Sequence, residues 1–231
     1  MTTGPRRGAV AVAVARKDLR VEWNSRIVAN QVAPFAAIVM VMFAFALDNE
    51  GILQRVAPGL VWLAALFSML VVVQRSFSVE TADGALDALR VAGVDASAIF
   101  AGKTLALMVQ LLALEAMLVA TAVVLYGVEM SWAGAAQVVV TMVAATAGLA
   151  SAGTLYGGLA AGAKGRETLL PLLLLPVVAP VLIGATRATE AAFASGGAQV
   201  SEGWPWVVLL AVFATIFHAA GTVAFGALID E

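Results

Sequence analysis

The sequence predicts an all-α membrane protein with six transmembrane helices and both termini on the cytoplasmic side. Three observations predict it. Hydrophobic residues fill 62% of the 231 positions and charged ones only 12%, with a mean hydropathy of +0.97. A soluble domain carries about 25% charge, so too little polar surface is present to cover a water-facing body. Six apolar stretches each approach the ~20 residues that cross a hydrocarbon core as a helix. Lysine and arginine in the connecting segments gather on one side of those stretches. The net charge of −2 gives no reason to expect a nucleic-acid partner, whereas membrane lipid is the expected surroundings. The absence of cysteine excludes disulfides, thiol redox chemistry and Cys-ligated metals, and a single histidine, His218, excludes a His-rich metal cluster within the chain.

The N-terminus has the outline of a signal peptide. Arg6 and Arg7 precede the apolar run Gly8 to Val14, and Ala13-Val14-Ala15 has the small residues of a cleavage site. The run is short for that purpose, and Arg16, Lys17, Asp18 and Arg20 follow at once. Residues 1–26 read better as a basic helix lying at the cytoplasmic interface and anchored by Trp23.

The spans then follow in order. Ile27 to Leu47 is the first, and Val56 to Val73 the second, with Pro58 tolerated in its first turn. Thr104 to Leu125, Ala133 to Ala160, Thr168 to Ala185 and Trp206 to Leu228 complete the set. What is left over holds no soluble domain, so residues 1–231 are expected to form one membrane domain. Arg6, Arg7, Arg16, Lys17, Arg20, Arg26, Arg75, Arg90, Lys103, Lys164 and Arg166 fall on one side, against Arg55 and Arg187 on the other. The basic side is the cytoplasmic one by the positive-inside rule. Tyr126, Trp132, Trp204 and Trp206 sit at the predicted outer ends.

The most informative segment is Gln74 to Gly102, between the second and third spans. Glu80, Asp83 and Asp87 recur at i, i+3 and i+7, an acidic stripe on one helical face, while Ala82, Leu86 and Leu89 recur on another. Gly84 is central, Gly93 can close the helix, and Asp95 can cap the next one. The expected element is a short amphipathic cytoplasmic helix. It is either solvated and unpartnered or a coupling helix that docks on a cytoplasmic ATPase, burying its apolar face and steering with its acidic one. Nearby, Ala101-Gly102-Lys103-Thr104 imitates a phosphate-binding loop, but Ser97 stands where the pattern needs glycine and a transmembrane helix follows. Any ATP hydrolysis is expected from a separate partner.

Two ionisable residues fall inside spans. Glu115, near the middle of the third, has only apolar neighbours one turn away and needs a partner on another helix. His218, near the middle of the sixth, shares a face with Thr215 and Thr222 and reads first as a helix–helix hydrogen-bonding residue, with a haem contact as the alternative. Neither supports a catalytic set, and no catalytic, metal or cofactor-binding residue is assigned. Gly153 with Gly157, and Gly158 with Gly162, allow close helix approach, and Pro171, Pro176 and Pro180 punctuate the fifth span. Thr186 to Gly203 is expected to be a small outer segment with Thr189 as a cap.

Four stretches together resemble one family. They are Arg16-Lys-Asp-Leu-Arg-Val-Glu-Trp23, Arg55-Val-Ala-Pro-Gly-Leu-Val-Trp-Leu-Ala-Ala-Leu-Phe-Ser68, Glu80-Thr-Ala-Asp-Gly-Ala-Leu-Asp-Ala-Leu89 and Leu173-Leu-Leu-Pro-Val-Val-Ala-Pro-Val-Leu-Ile183. The chain resembles the haem exporter protein B (CcmB) family, permease subunits of an ABC transporter in bacterial cytochrome c maturation. The coupling-helix stretch is similar to type 2 ABC exporter permeases generally, so export of a lipid, drug or glycan is the alternative. The resemblance implies an inner-membrane subunit, itself no enzyme, with a CcmA-like ATPase, CcmC-like and CcmD-like membrane proteins and the haem chaperone CcmE as partners. Haem is then the transported substrate rather than a bound cofactor. ATPase coupling would fall to Glu80, Asp83, Gly84, Leu86, Asp87 and Leu89.

Overall fold

The structure, a computed structural model, describes residues 7–47, 49–83, 91, 93–161 and 166–230, the side chains of 50, 79–83, 166–167 and 228–230 excepted. Seven α-helices account for nearly all of it, and no strand occurs among the described residues. They are α1 (Arg7–Ser25), α2 (Ala33–Ala46, entered through a π-helical turn at Val28–Val32), α3 (Glu50–Asp83), α4 (Ala96–Tyr126), α5 (Trp132–Ala161), α6 (Arg166–Ala192) and α7 (Val200–Asp230). Six stretches are long and apolar enough to cross a membrane: Val28–Ala46, Gly51–Ser78, Ala96–Tyr126, Trp132–Ala161, Thr168–Ala192 and Val200–Ala227.

α3, α6 and α7 run past their apolar stretches. A 34-residue helix such as α3 is roughly 50 Å long, against a hydrocarbon core of roughly 30 Å. The excess of about 20 Å is shared between the two ends, one with Glu50, Gln54 and Arg55 and the other, residues 74–83, about 15 Å long with Gln74, Arg75, Ser76, Glu80 and Asp83. This corrects the boundaries expected from hydropathy. Residues 74–83 continue α3, 93–95 form a turn and cap, and residues 96–102 open α4, while 84–90 and 92 lie outside the described residues.

α5 is central and packs on α3, α4, α6 and α7, whereas α2 and α7 lie at the rim. Small residues explain that placement. A Cβ at Gly153 or Gly157 would run into Val73 and, for Gly157, the Phe77 ring of α3; a Cβ at Gly158 would meet Phe225 of α7. These glycines let α5 approach helices on both sides closely enough for dispersion contact, the main attraction available where lipid is as apolar as leucine. Gly162 lies outside the described residues.

α3 begins at Glu50, so Pro58 stands inside the helix and not in its first turn. Proline offers no N–H to the carbonyl four residues back. That carbonyl, on Gln54, accepts instead from Ser195 Oγ at 3.1 Å, while Gln54 Nε2 donates to Gly127 O at 2.9 Å. The freed backbone acceptor thus joins α3 to the connections after α4 and α6 at this end of the bundle. The expectation that Thr189 caps an outer segment is also corrected. α6 continues to Ala192, and Thr189 is buried inside it, accepting a hydrogen bond from Trp62 Nε1 at 2.8 Å. Tyr126, placed by sequence at an outer interface, is buried at the end of α4 and donates to Met40 O at 2.8 Å.

Candidate functional site

The expected docking segment starts where α3 leaves the bundle. Glu80 and Asp83 belong to the last turn of that helix, and Gly84, Leu86, Asp87 and Leu89 lie outside the described residues. On the far side of the segment the chain is well defined. Gly93 takes φ +68°, the left-handed conformation that glycine adopts without strain. Asp95 is the N-cap of α4, its Oδ1 accepting from the backbone N–H of Ser97 at 2.9 Å and from Ser97 Oγ at 2.5 Å, while Arg7 Nε pairs with Oδ2 at 2.8 Å. The Ser97 hydroxyl and amide, with Arg7 adding, hold the Asp95 carboxyl below its ordinary value. The stabilisation is complete above the ordinary carboxylate value and is lost as pH falls through the lowered one.

The first helix is not simply laid on the bundle. α1 follows the opening half of α4: Arg7 meets Asp95, Val14 faces Gly102, and Asp18 meets Lys103. Gly102 makes this possible, since a Cβ there would fall 2.5 Å from Ala11 O and 2.7 Å from Val14 Cβ. Ala98, Gly102 and Ala106 are all buried and recur every four residues, a small-residue stripe that announces the seat of α1 in the sequence. At its far end α1 turns sharply. Arg26 takes φ +52°, and Glu22 Oε1 accepts from the backbone N–H of Val28 at 2.6 Å, closing the corner before α2.

Between α1, α3 and α4 lies a polar cluster that sequence reasoning passed over. Lys103, part of the imitation phosphate loop, sits in the helical interior of α4 and is 3% exposed. Its ammonium donates to Ser76 Oγ of α3 at 3.1 Å and to Asp18 Oδ2 of α1 at 3.3 Å, and lies 4.7 Å from the centroid of the Phe77 ring. Asp18 Oδ1 also takes Lys17 at 3.0 Å, and Arg75 Nε approaches Glu22 Oε2 at 3.9 Å. A cavity of about 50 Å³ adjoins the cluster, lined among others by Asp18, Glu22, Arg75, Ser76 and Gln110. Its size suits a few water molecules, each needing about 10–15 Å³, and Asp18, Glu22, Arg75 and Ser76 give polar atoms to a mostly apolar wall. The signal that could have found the cluster is the pair Asp18 and Glu22, two acids one turn apart in an otherwise basic helix.

The two intramembrane candidates separate. Glu115 is fully buried, and its partner is on another helix as expected: Oε2 accepts from Thr146 Oγ1 of α5 at 2.6 Å. His218 is exposed on α7 and lies beside Phe100, one turn into α4, with ring centroids 5.6 Å apart. Its Nδ1 is 3.5 Å from Ser151 Oγ, whereas Thr215 and Thr222 hydrogen-bond to carbonyls of their own helix, Ala211 O and Ala219 O. The polar stripe of α7 is thus not a shared network. Among the described residues no three His, Cys, Asp or Glu side chains come together to hold a metal ion.

Six apolar crossings, a helix projecting from the bundle and an N-terminal helix pinned by ion pairs define a polytopic helical membrane protein. The sequence model of the CcmB protein family matches residues 9–230, and the chain belongs to that family. Heme exporter protein B of Rhodobacter capsulatus is 34% identical over 153 residues, 64% of this chain and 68% of the relative. The protein of that name from Bradyrhizobium diazoefficiens is 28% identical over 201 residues, covering 87% and 88%. The one from Paracoccus denitrificans is 32% identical over 160 residues, covering 68% and 71%.

Proposed function

We propose that the chain is the membrane subunit of an ABC transport complex that exports haem, or releases a haem-loaded chaperone, in bacterial cytochrome c biogenesis. The observation that carries this reading is the family match over residues 9–230, which spans every transmembrane helix and the segment between α3 and α4. The relatives named above are heme exporters, which favours haem over a lipid, drug or glycan as cargo. The subunit lies in the inner membrane with α1, the α3–α4 connection and the C-terminus in the cytoplasm, the side that carries most of its lysine and arginine. ATP hydrolysis belongs to a separate CcmA-like partner, and CcmC-like, CcmD-like and CcmE-like proteins complete the pathway.

Docking falls to residues 74–93. The projecting end of α3 supports this, because residues 74–83 supply a stiff lever about 15 Å long between the hydrocarbon core and the segment with the acidic and apolar stripes. Leu86 and Leu89 would be buried in the partner, each stabilising the contact by about 1.5–3 kcal/mol. Glu80, Asp83 and Asp87 would steer association from the rim and be sensitive to salt. Co-purification of the ATPase with a Leu86→Asp variant tests the reading. The variant should insert normally, lose the ATPase and fail to mature cytochrome c. Retained ATPase refutes the docking, and lost ATPase with normal cytochrome c maturation refutes the cargo.

A further inference from the structure

We infer that Lys103 is the positioning residue of transport coupling: its buried ammonium joins α1, α3 and α4 into one moving body. The inference rests on the reading of the α3–α4 segment as the ATPase dock. Lys103 reaches two other elements, with Ser76 and the Phe77 ring at the root of the projecting α3 end and Asp18 on α1. A buried cation is costly unless it is paired and hydrogen-bonded, and here both partners come from other helices, so the ammonium stays satisfied only while α1, α3 and α4 keep their places.

Packing is extensive between α1 and α4 and between α4 and α3, but slight between α1 and α3. The apolar seat of α1 is Val14 against Gly102, which fixes α1 to α4 and says nothing to α3. The links from α1 to α3 are polar, through Asp18, Lys103 and Ser76 and, one turn further along α1, through Glu22 and Arg75. Glu22 also holds the corner into α2 through the Val28 amide. Displacement of the α3 end therefore reaches α1, and through the corner α2, along these side chains. With the ammonium gone, Val14 and Gly102 still seat α1, so the helices remain in place while the link to α3 is reduced to Glu22 and Arg75. The cavity beside Asp18 and Ser76 has room for water to take over their freed hydrogen bonds.

The test uses the complete complex with its ATPase. Lys103→Met should keep the ATPase bound and hydrolysing while cytochrome c maturation per ATP falls about tenfold or more, the scale of coupling between sites. Lys103→Arg should retain most of that ratio, and the exchange of Asp18→Lys with Lys103→Asp should recover part of it. A role in stability alone would lower both activities together. Normal maturation in Lys103→Met overturns the joint and leaves the transport reading standing; an unaltered chain that binds no ATPase overturns both. A second measurement needs no substitution at Lys103. The chain has no cysteine, so spin labels go in cleanly at exposed Arg20 of α1, Val71 of α3 and Val223 of α7. On ATP trapping the Arg20–Val71 separation should hold while the Arg20–Val223 separation changes. A changed Arg20–Val71 separation, or a fixed Arg20–Val223 one, overturns the joint.

Discussion

The indole of Trp62 donates to the hydroxyl of Thr189 at 2.8 Å, with both side chains buried and 127 positions apart in the chain. This bond ties α3 to α6. An indole N–H left without an acceptor in an apolar interior costs about 1–3 kcal/mol, and removing both partners costs less than the two losses added. Thr189→Val should lower the thermal stability of the purified chain in detergent by that amount. Trp62→Phe combined with Thr189→Val should be milder than the sum of the single changes. Additive losses would show that the two groups do not interact.

The same pair marks where the sequence stopped being legible. The six crossings could be read because a bilayer demands about 20 apolar residues, whatever packs against them. Helix ends could not, because polarity marks where the hydrocarbon stops and not where the backbone hydrogen bonds do. Thr186 and Arg187 look like the end of a span, yet α6 runs on to Ala192, with Thr189 satisfied across the bundle by Trp62. Asp95 as a cap and Gly93 as a left-handed residue were legible, since both are local backbone chemistry. Glu115 plainly needed an interhelical partner, but nothing local to α4 pointed to Thr146. Lys103 was set aside as an imitation motif, and its meaning comes from residues 27 and 85 positions away.

The start of α4 and the end of α7 meet at Ala96 and Gly226. A Cβ built on Gly226 lies 3.6 Å from the Ala96 Cβ, inside the span of roughly 3.5–4.5 Å that a disulfide bridges. With no other cysteine present, Ala96→Cys with Gly226→Cys should form an intramolecular disulfide under mild oxidation. Loss of both free thiols, without dimer on a non-reducing gel, is the expected readout. Persistent free thiols would mean that the start of α4 and the end of α7 are not neighbours.

Ser195 answers the acceptor that Pro58 releases. Its hydroxyl bonds to Gln54 O at 3.1 Å, so Ser195→Ala leaves that carbonyl without this donor and should destabilise the chain by about 1 kcal/mol. In a Pro58→Ala background the helix can restore its own N–H to the same carbonyl. There, Ser195→Ala should cost little. Thermal unfolding of the four combinations measures the difference, and equal losses in both backgrounds would disconnect the serine from the proline.

Glu115 and Thr146 share one hydrogen bond, but they do not share its loss equally. The Glu115 carboxyl is fully buried, with Oε2 accepting from Thr146 at 2.6 Å and Oε1 without a partner among the described residues. Removing Thr146 strips the carboxyl of its donor and leaves a polar group stranded, at about 1–3 kcal/mol. Removing Glu115 leaves a threonine hydroxyl that can turn back to a carbonyl of its own helix. Thr146→Val should therefore destabilise the chain more than Glu115→Leu, and the double change should recover most of the loss. Glu115→Gln keeps an oxygen for Thr146 and should preserve assembly and most transport. Thermal stability in detergent and cytochrome c maturation in cells are the two measurements. If Glu115→Gln assembles normally yet supports no maturation, the carboxyl itself takes part in transport, by carrying a proton or by touching the cargo.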